Sequence, residues 1–186
     1  IWAGNQAPDV LRGLVARALE MPTAAVTVHS TYLGGGFGRR VAVDFAIEAA
    51  RVAKAVGAPV KVVWSREDDM RHDFYRPAAL SRLRAEIDAS GKLVSWQHRI
   101  VAPSIMAIAL PAMGLAMLPQ WMPGGVMRPV GMMIRGRDST SVEGAKERPY
   151  EIPHLSVEYL HHDPGVPIGF WRSVGHSQNA FFGESF

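Results

Sequence analysis

A glycine-rich loop at residues 34–40 carries the residue types best suited to chemistry. Glycine occupies four of its first five positions, and two arginines follow directly. Glycine tolerates positive φ angles and lets backbone N–H groups approach an anion, while arginine guanidinium groups match phosphate oxygens. The loop consists of Gly34, Gly35, Gly36, Phe37, Gly38, Arg39 and Arg40. This composition predicts a binding site for a phosphorylated or strongly anionic ligand, which Phe37 would touch.

Two common glycine loops and a plain turn are the alternatives. A Walker loop ends in Gly-Lys-Ser/Thr, but Gly38 is followed by Arg39 and Arg40. A dinucleotide-binding fingerprint needs a glycine where Arg39 stands. A strand-to-helix turn without a ligand stays open, although it requires neither four glycines nor two arginines.

The remaining composition excludes several other classes of function. The chain has no cysteine, so it offers no disulfide, thiolate zinc site or ligand for an Fe–S cluster. None of the seven histidines has the helical spacing of a zinc protease, and a Gly-x-Ser-x-Gly elbow is missing. The net charge of +3 is spread along the chain, which does not indicate nucleic-acid binding.

The elements around the loop predict an α+β fold. We expect a two-layer structure with a mixed sheet, helices on one face and an appended β-hairpin region. Apolar residues recur at helical spacing or alternate at strand spacing in the expected segments. The predicted helices are residues 8–20 and 44–56, and the predicted strands are 25–32, 59–64, 80–88, 93–101 and 154–162. The dipole of helix 44–56 would strengthen anion binding at the loop.

Three details of these elements carry further expectations. In helix 44–56, the sequence places Phe45, Ala49, Val52 and Val56 on the apolar face. The charged residues 65–70 form a solvated turn, a helix N-cap cluster or a site. Residues 102–134 contain seven of the nine methionines and five prolines, which predicts an irregular segment and no membrane helix. That segment lines an apolar pocket, packs elsewhere as an insertion, or forms a partly disordered loop.

Three motifs, in order, resemble those of one enzyme family. Residues 34–38 resemble the glycine loop of the molybdenum hydroxylases, the xanthine dehydrogenase and aldehyde oxidase family, and the double arginine is similar to its isoquinoline 1-oxidoreductase branch. Residues 2–8 are similar to the upstream segment with a cofactor-facing glutamine. Residues 171–179 are similar to the family's Phe-Arg-Gly-Phe-Gly segment. The resemblance covers nearly the whole chain, apart from roughly residues 104–148.

The resemblance implies a fold, a cofactor and partners. The chain would be an internal fragment, a partial molybdopterin-binding domain over residues 1–186, divided into 1–102, 103–148 and 149–186. Such enzymes hydroxylate an N-heterocycle or an aldehyde with oxygen from water. Their cofactor is molybdenum-molybdopterin, usually in a dinucleotide form in bacteria, and Fe–S clusters on a partner small subunit remove the electrons. The remainder of the large subunit would complete the site, so the fragment alone would be inactive.

The resemblance also assigns roles to individual residues. Gln6 would hydrogen-bond an oxo ligand of the metal, and Gly36, Phe37 and Gly38 would lie against the metal and pterin. Arg172 would face the substrate and stabilise growing negative charge. None of these residues would ligate the metal directly. Gly175, Gln178 and Glu184 fall on matching positions, and the family's catalytic glutamate belongs to a downstream Gly-Val-Gly-Glu segment that this sequence lacks.

Two departures and two rival functions stay open. Trp171 and Ser173 replace a phenylalanine and a glycine of the family motif, which leaves the substrate class undecided. The first rival is a non-catalytic module that binds a phosphate or nucleotide with the glycine loop. The second is an assembly domain that kept the fold and lost the site. The joint presence of Gln6, Phe37 and Arg172 favours the enzyme over the second rival.

Overall fold

A computed structural model describes all residues, Ile1–Phe186. Five strands and six α-helices, joined by short 3-10 turns, follow one another along the chain. In order they are β1 (Trp2–Ala3), α1 (Pro8–Leu19), β2 (His29–Ser30), α2 (Asp44–Val56), α3 (Arg66–His72), β3 (Leu80–Ile87), β4 (Leu93–Ala102), α4 (Met106–Met117), α5 (Arg128–Ile134), β5 (His154–His161) and α6 (His176–Ser185). Helices and open sheets alternate irregularly, which confirms the predicted α+β class.

The first half of the chain packs α1 and α2 around one apolar core. Strands β1 and β2 form a parallel two-stranded sheet in which Trp2 lies opposite His29. The buried side chains come from both helices and from the segment that leads into β2. They are Leu11, Val15, Ala16, Val26, Val43 and Ala46. This core fixes the two chain segments that hold the candidate site, the one before α1 and the one before α2.

The second half is organised by a three-stranded mixed sheet. Strands β3 and β4 form the predicted antiparallel hairpin, and β5 pairs with β4 in parallel. A smaller core of Ile100, Ala102, Val142 and Ala145 lies against this sheet. Ser65 is the N-cap of helix α3, and its side chain forms a capping box with Asp68. The charged residues 65–70 are therefore an N-cap cluster, one of the predicted alternatives.

Two predicted strands are wrong, and one predicted helix face is correct only in part. Strand pairing in the segment 25–32 is limited to His29–Ser30, and residues 59–64 form no strand. Their apolar alternation reflects burial alone, because Val26 is buried without a ladder partner. Helix α2 turns Ala46 and Ala50 toward the core, and Phe45 of the predicted face packs against it as well. Val52 and Val56, from the same predicted face, are 40% and 63% exposed.

The methionine-rich segment is also more regular than predicted. It forms α4 and α5, because most of its prolines lie where helices begin or between them, and only Pro111 stands inside one. Helix α4 approaches α1 so closely that a Cβ at Gly13 would lie 2.2 Å from the Ala116 carbonyl oxygen. The Arg17 guanidinium donates to five carbonyl oxygens, those of Leu115, Leu118, Pro119, Gln120 and Met122. No helix is long and apolar enough to cross a membrane.

Candidate functional site

Gln6 and the glycine loop are joined by two hydrogen bonds. The Gly38 N–H donates to Gln6 Oε1 at 3.0 Å, and the Gln6 N–H donates to the Arg40 carbonyl at 3.0 Å. A Cβ at Gly36 would lie 2.4 Å from Gln6 Oε1, so only glycine leaves room for the amide. With Oε1 engaged, the two N–H donors of the exposed Gln6 amide have no protein partner and point to solvent.

Phe37 stands at the tip of this loop with its ring on the surface. Its φ angle of 49° lies in the left-handed region, which non-glycine residues rarely adopt. The ring folds back over Gly35, where a Cβ would meet Cε2 at 2.6 Å. The side chain is 55% exposed despite its apolar character. Such strain at an exposed aromatic residue is typical of a ligand-contacting loop.

Residues 167–175, which we call the Arg172 loop, lie directly beside the glycine loop. A Cβ at Gly38 would lie 2.9 Å from the carbonyl carbon of Phe170, so the two backbones touch. The Arg172 guanidinium carbon lies 6.0 Å from the centre of the Phe37 ring, at the limit of a cation–π contact. The exposed guanidinium has no carboxylate partner. The structure thus brings together Gln6, Phe37 and Arg172, which are far apart in sequence.

The two arginines of the glycine loop differ in their contacts. Arg39 donates two hydrogen bonds to Asp44, at 3.0 and 2.9 Å, and a third to Asp73. Burial lowers the pKa of Arg39, but the hydrogen bonds and charges of Asp44 and Asp73 outweigh it and raise the pKa overall. Arg40 lies over the Phe45 ring at 4.9 Å and forms no ion pair. Arg40 therefore keeps its donors for a ligand, whereas those of Arg39 are occupied.

The predicted contribution of a helix dipole to this loop is not supported. A 3-10 turn, Arg39–Val41, separates the glycines from α2. Asp44, in the first turn of α2, is paired with Arg39. The positive end of α2 is thus already matched by a carboxylate, and the Gly38 N–H binds Gln6.

Three functional candidates escaped the sequence analysis because their local pattern is ordinary. Asp73, Phe74 and Arg76 connect the glycine loop to the Arg172 loop. The Trp171 indole N–H donates to the Phe74 carbonyl at 3.0 Å, and Arg76 donates to the Arg172 carbonyl at 2.9 Å. An aspartate that follows the C-terminal end of a charged helix gives no signal that it pairs with an arginine 34 residues earlier.

The other residues assigned by resemblance lie in or before α6. Gly175 packs against Thr140, whose carbonyl oxygen would be 2.0 Å from a Cβ at that position. Gln178 Oε1 is buried without a partner. Glu184 accepts a hydrogen bond from the Tyr150 hydroxyl at 2.5 Å, and neither residue belongs to the glycine loop or the Arg172 loop. Ser173 has a φ of 66°, which strains a serine but not a glycine. The glycine of the family motif would therefore fit this backbone conformation.

The exposed groups of the site form a set suited to an anionic ligand with oxygen acceptors. The Gln6 amide, Arg40 and Arg172 offer donors, and the nearby carboxylates of Asp44 and Asp73 are both paired with Arg39. The chain holds no cluster of histidine and carboxylate groups that could ligate a metal ion. A metal at this surface would therefore be carried by its own organic ligand, and the donors present fit such a group.

Comparisons with known proteins give concordant matches. The family described as "Molybdopterin cofactor-binding domain" matches residues 1–109. Isoquinoline 1-oxidoreductase subunit beta of Brevundimonas diminuta is 29% identical over 185 residues, 99% of this chain and 21% of that protein. A membrane-bound aldehyde dehydrogenase (pyrroloquinoline-quinone) of Gluconacetobacter polyoxogenes is 39% identical over 103 residues, 55% of this chain and 13% of that protein. The crystal structure of quinoline 2-oxidoreductase from Pseudomonas putida 86 superposes with a TM-score of 0.65 at 20% identity, over 94% of this chain and 20% of that one.

Proposed function

The chain belongs to the molybdopterin cofactor-binding domain family, and we propose that it forms part of the large subunit of a molybdenum hydroxylase. The family agrees with the one predicted from the three motifs. The chain spans about a fifth of the isoquinoline relative's length, so we assign the activity to a larger subunit that contains it. The proposed substrate is an N-heterocycle or an aldehyde, the two classes named for the relatives.

One observation carries this proposal: the free donors of Gln6 and Arg172 flank the exposed Phe37 ring on one surface. A binding module that held only phosphate would gain nothing from an aromatic ring beside the cations. A planar heterocycle gains from both, since its face can pack on Phe37 while its polar atoms meet the donors. This mixture of apolar and cationic groups favours the hydroxylase over the phosphate-binding rival.

Each residue has a distinct task in the proposed reaction. The molybdenum cofactor, when bound, supplies the oxygen transfer and accepts the electrons. The Gln6 amide, fixed by Gly38, would help to hold that group by donating a hydrogen bond to one of its oxygens. Phe37 orients the substrate and excludes water from it. Arg172 stabilises negative charge that grows on the substrate in the transition state. We assign the base to a glutamate outside this chain, and Arg40 to an anionic group of the cofactor.

Two finer assignments extend the proposal. We propose a dinucleotide form of the cofactor, because Arg40, at the end of the glycine loop, offers a free cation for a further phosphate. We also propose a partner subunit with Fe–S clusters, since this chain has no cysteine to ligate one. Phosphate analysis of the released cofactor and iron analysis of the purified complex test these assignments separately.

The substitution Arg172→Met in the full-length subunit separates the enzyme from the binding module. Methionine keeps an apolar stem but removes the charge and its donors. We expect unchanged molybdenum content and a fall in both kcat and kcat/KM by about 10²–10³. Arg71→Met is the matched control, because Arg71 is an exposed arginine of α3 without a paired carboxylate.

Two results would count against the role of Arg172, and a third would count against the hydroxylase itself. Wild-type turnover of a heterocycle by the Arg172→Met variant at saturating substrate removes the role of Arg172. A higher KM with unchanged kcat makes Arg172 a ground-state binding residue. If the wild-type subunit contains pyrroloquinoline quinone and no molybdenum, the proposed molybdenum cofactor is wrong. The name of the aldehyde dehydrogenase relative includes that quinone. Metal analysis and quinone absorbance spectroscopy distinguish the last case directly.

A further inference from the structure

Residues 73–76, which we call the bridge segment, connect the two loops of the site. On one side, Asp73 accepts a hydrogen bond from Arg39, and the Arg39 guanidinium carbon lies 5.0 Å from the centre of the Phe74 ring. On the other side, the Phe74 carbonyl accepts from the Trp171 indole N–H at 3.0 Å. The bridge segment therefore sets the spacing between the loop that carries Phe37 and the loop that carries Arg172.

Backbone pairing extends this connection along the Arg172 loop. The Tyr75 N–H donates to the Pro167 carbonyl at 2.9 Å, and the Gly169 N–H donates to the Tyr75 carbonyl at 3.2 Å. The start of the Arg172 loop is thus held like a short β-bridge, which pairs Tyr75 with Ile168. These bonds end at Gly169, three positions before Arg172.

Arg76 holds the far end of the same loop. Its Nη2 donates to the Arg172 carbonyl at 2.9 Å and its Nη1 donates to the Val174 carbonyl at 3.3 Å. The planar guanidinium offers parallel donors in a fixed fork, so one side chain fixes two carbonyls two residues apart. Arg76 forms no ion pair with a carboxylate, which leaves these carbonyls as its protein partners.

The segment between those carbonyls is strained. Ser173 and Val174 have φ angles of 66° and 44°, and a β-branched residue such as valine is a genuine outlier there. A strained turn persists only where its surroundings hold it. Ser177 in α6 contacts the Ser173 hydroxyl, whereas Arg76 holds the backbone of the turn, because its two bonds flank both strained residues.

We propose that Arg76 is a positioning residue that clamps the strained turn and thereby sets where the Arg172 guanidinium lies over Phe37. This inference rests on the proposed function for its catalytic consequence, whereas the clamp itself is a property of the chain. Arg76 touches neither substrate nor cofactor in this assignment. Its charge acts through the carbonyls of Arg172 and Val174, and the position of Arg172 carries the effect to the reaction.

The clamp is tested first in the 186-residue chain without any cofactor. The Val174 N–H donates to the Trp171 carbonyl at 2.9 Å and the His176 N–H donates to the Ser173 carbonyl at 2.8 Å, so both amides report on the turn. In Arg76→Met we expect hydrogen exchange at these amides to accelerate about 10-fold or more, with core amides of α1 unchanged. Arg76→Lys should give an intermediate rate, since an ammonium group does not reproduce the fork. Arg71→Met should match the wild type.

The position of Arg172 is tested by a second signal in the same samples. Fluorophenylalanine labelling gives a Phe37 resonance, assigned with Phe37→Leu, that senses the nearby guanidinium. Arg76→Met should shift this resonance in the same direction as Arg172→Met does. Wild-type exchange at Val174 and His176 in Arg76→Met overturns the clamp. Accelerated exchange with an unshifted Phe37 resonance overturns the positioning of Arg172.

Kinetics in the full-length subunit test the catalytic consequence. We expect Arg76→Met to retain molybdenum and to lose about 10-fold or more in kcat, with a smaller change in KM, because misplacement by about 1 Å can cost about 10² in rate. Unchanged kcat in a variant with the shifted Phe37 resonance overturns the catalytic role. If the wild-type subunit contains no molybdenum, the proposed function fails, while the exchange and fluorine experiments still decide whether the clamp exists.

Discussion

His98 predicts a measurable loss of stability as the pH falls. Its ring is 1% exposed, with Nε2 2.9 Å from Ser81 Oγ and Nδ1 3.3 Å from Arg148 Nη2. A guanidinium can only donate, so Nδ1 accepts and the proton of the neutral ring sits on Nε2, facing the serine. Burial and then the charge of Arg148 lower the pKa of His98 to about 4, from 6.5.

The sign and size of the effect follow from this difference. Above pH 6.5 the ring is neutral in both states, and its full contribution to stability is present. Between pH 6.5 and about 4 the unfolded chain binds a proton that the folded protein does not, so the free energy of unfolding falls. At about 1.4 kcal/mol per pH unit, the loss is about 2 kcal/mol at pH 5 and about 3 kcal/mol in total.

Urea unfolding of the wild type and of His98→Gln at pH 7.5 and pH 5 measures this contribution. Glutamine can accept from Arg148 and donate to Ser81 but does not titrate, and six other histidines provide the same background in both proteins. We expect the wild type to lose about 2 kcal/mol more than the variant between these values. Equal losses would refute the reasoning, as would a His98 ring that protonates near pH 6.5 in an NMR titration.

The remaining predictions concern one glycine and one arginine. Gly36→Val should abolish molybdenum binding in the full-length subunit and leave its melting temperature nearly unchanged, because the side chain would displace the Gln6 amide. Gly136→Val, at a site with nothing within 4 Å of the added Cβ, should bind metal normally; full metal content in Gly36→Val contradicts the site. Arg17→Met should lower the melting temperature of the 186-residue chain by about 10 °C, as it removes donors from five carbonyls. Arg12→Met, which loses only an exposed ion pair with Asp9, should change it by less than about 3 °C, and equal shifts would argue against the role of Arg17.

The parts of the fold that could be predicted are those whose signal is local. In helices α1 and α2 and in the β3–β4 hairpin, apolar residues recur at the spacing of a helix or a strand within the segment itself. The Asp88 carboxylate also closes the hairpin turn by accepting from the N–H groups of Ser90 and Lys92. Strands depend on a partner, and the segment 25–32 finds only the two residues of β1 to pair with. Helix α4 was missed because a proline inside a helix argues against it locally, while packing on α1 through Gly13 decides otherwise.

In the site, too, local sequence motifs identified some residues, whereas tertiary contacts decided what the other residues do. Gln6, Phe37 and Arg172, which the motifs single out, lie on one surface of the structure, and the roles of these residues stay predictions. The predicted contribution of the α2 dipole to anion binding is not supported, because the Asp44 carboxylate already compensates the positive end of α2. Gly36 must be glycine in the structure to admit the Gln6 amide, a requirement that the sequence analysis did not contain. Such requirements come from residues some 30 positions away, which local patterns do not contain.

Four arginines near the loops illustrate why residue type alone does not assign a role. Arg39 directs its donors to two carboxylates and is held in place, so it has little left to offer a ligand. Arg76 directs its donors to two backbone carbonyls and stabilises a turn. Arg40 and Arg172 lie on aromatic rings with their donors free. Because a buried or paired donor costs free energy to release, only the last two can bind an anion without first breaking a contact. The occupancy of each guanidinium, and not its place in the motif, therefore separates the residues that build this surface from those that meet its ligand.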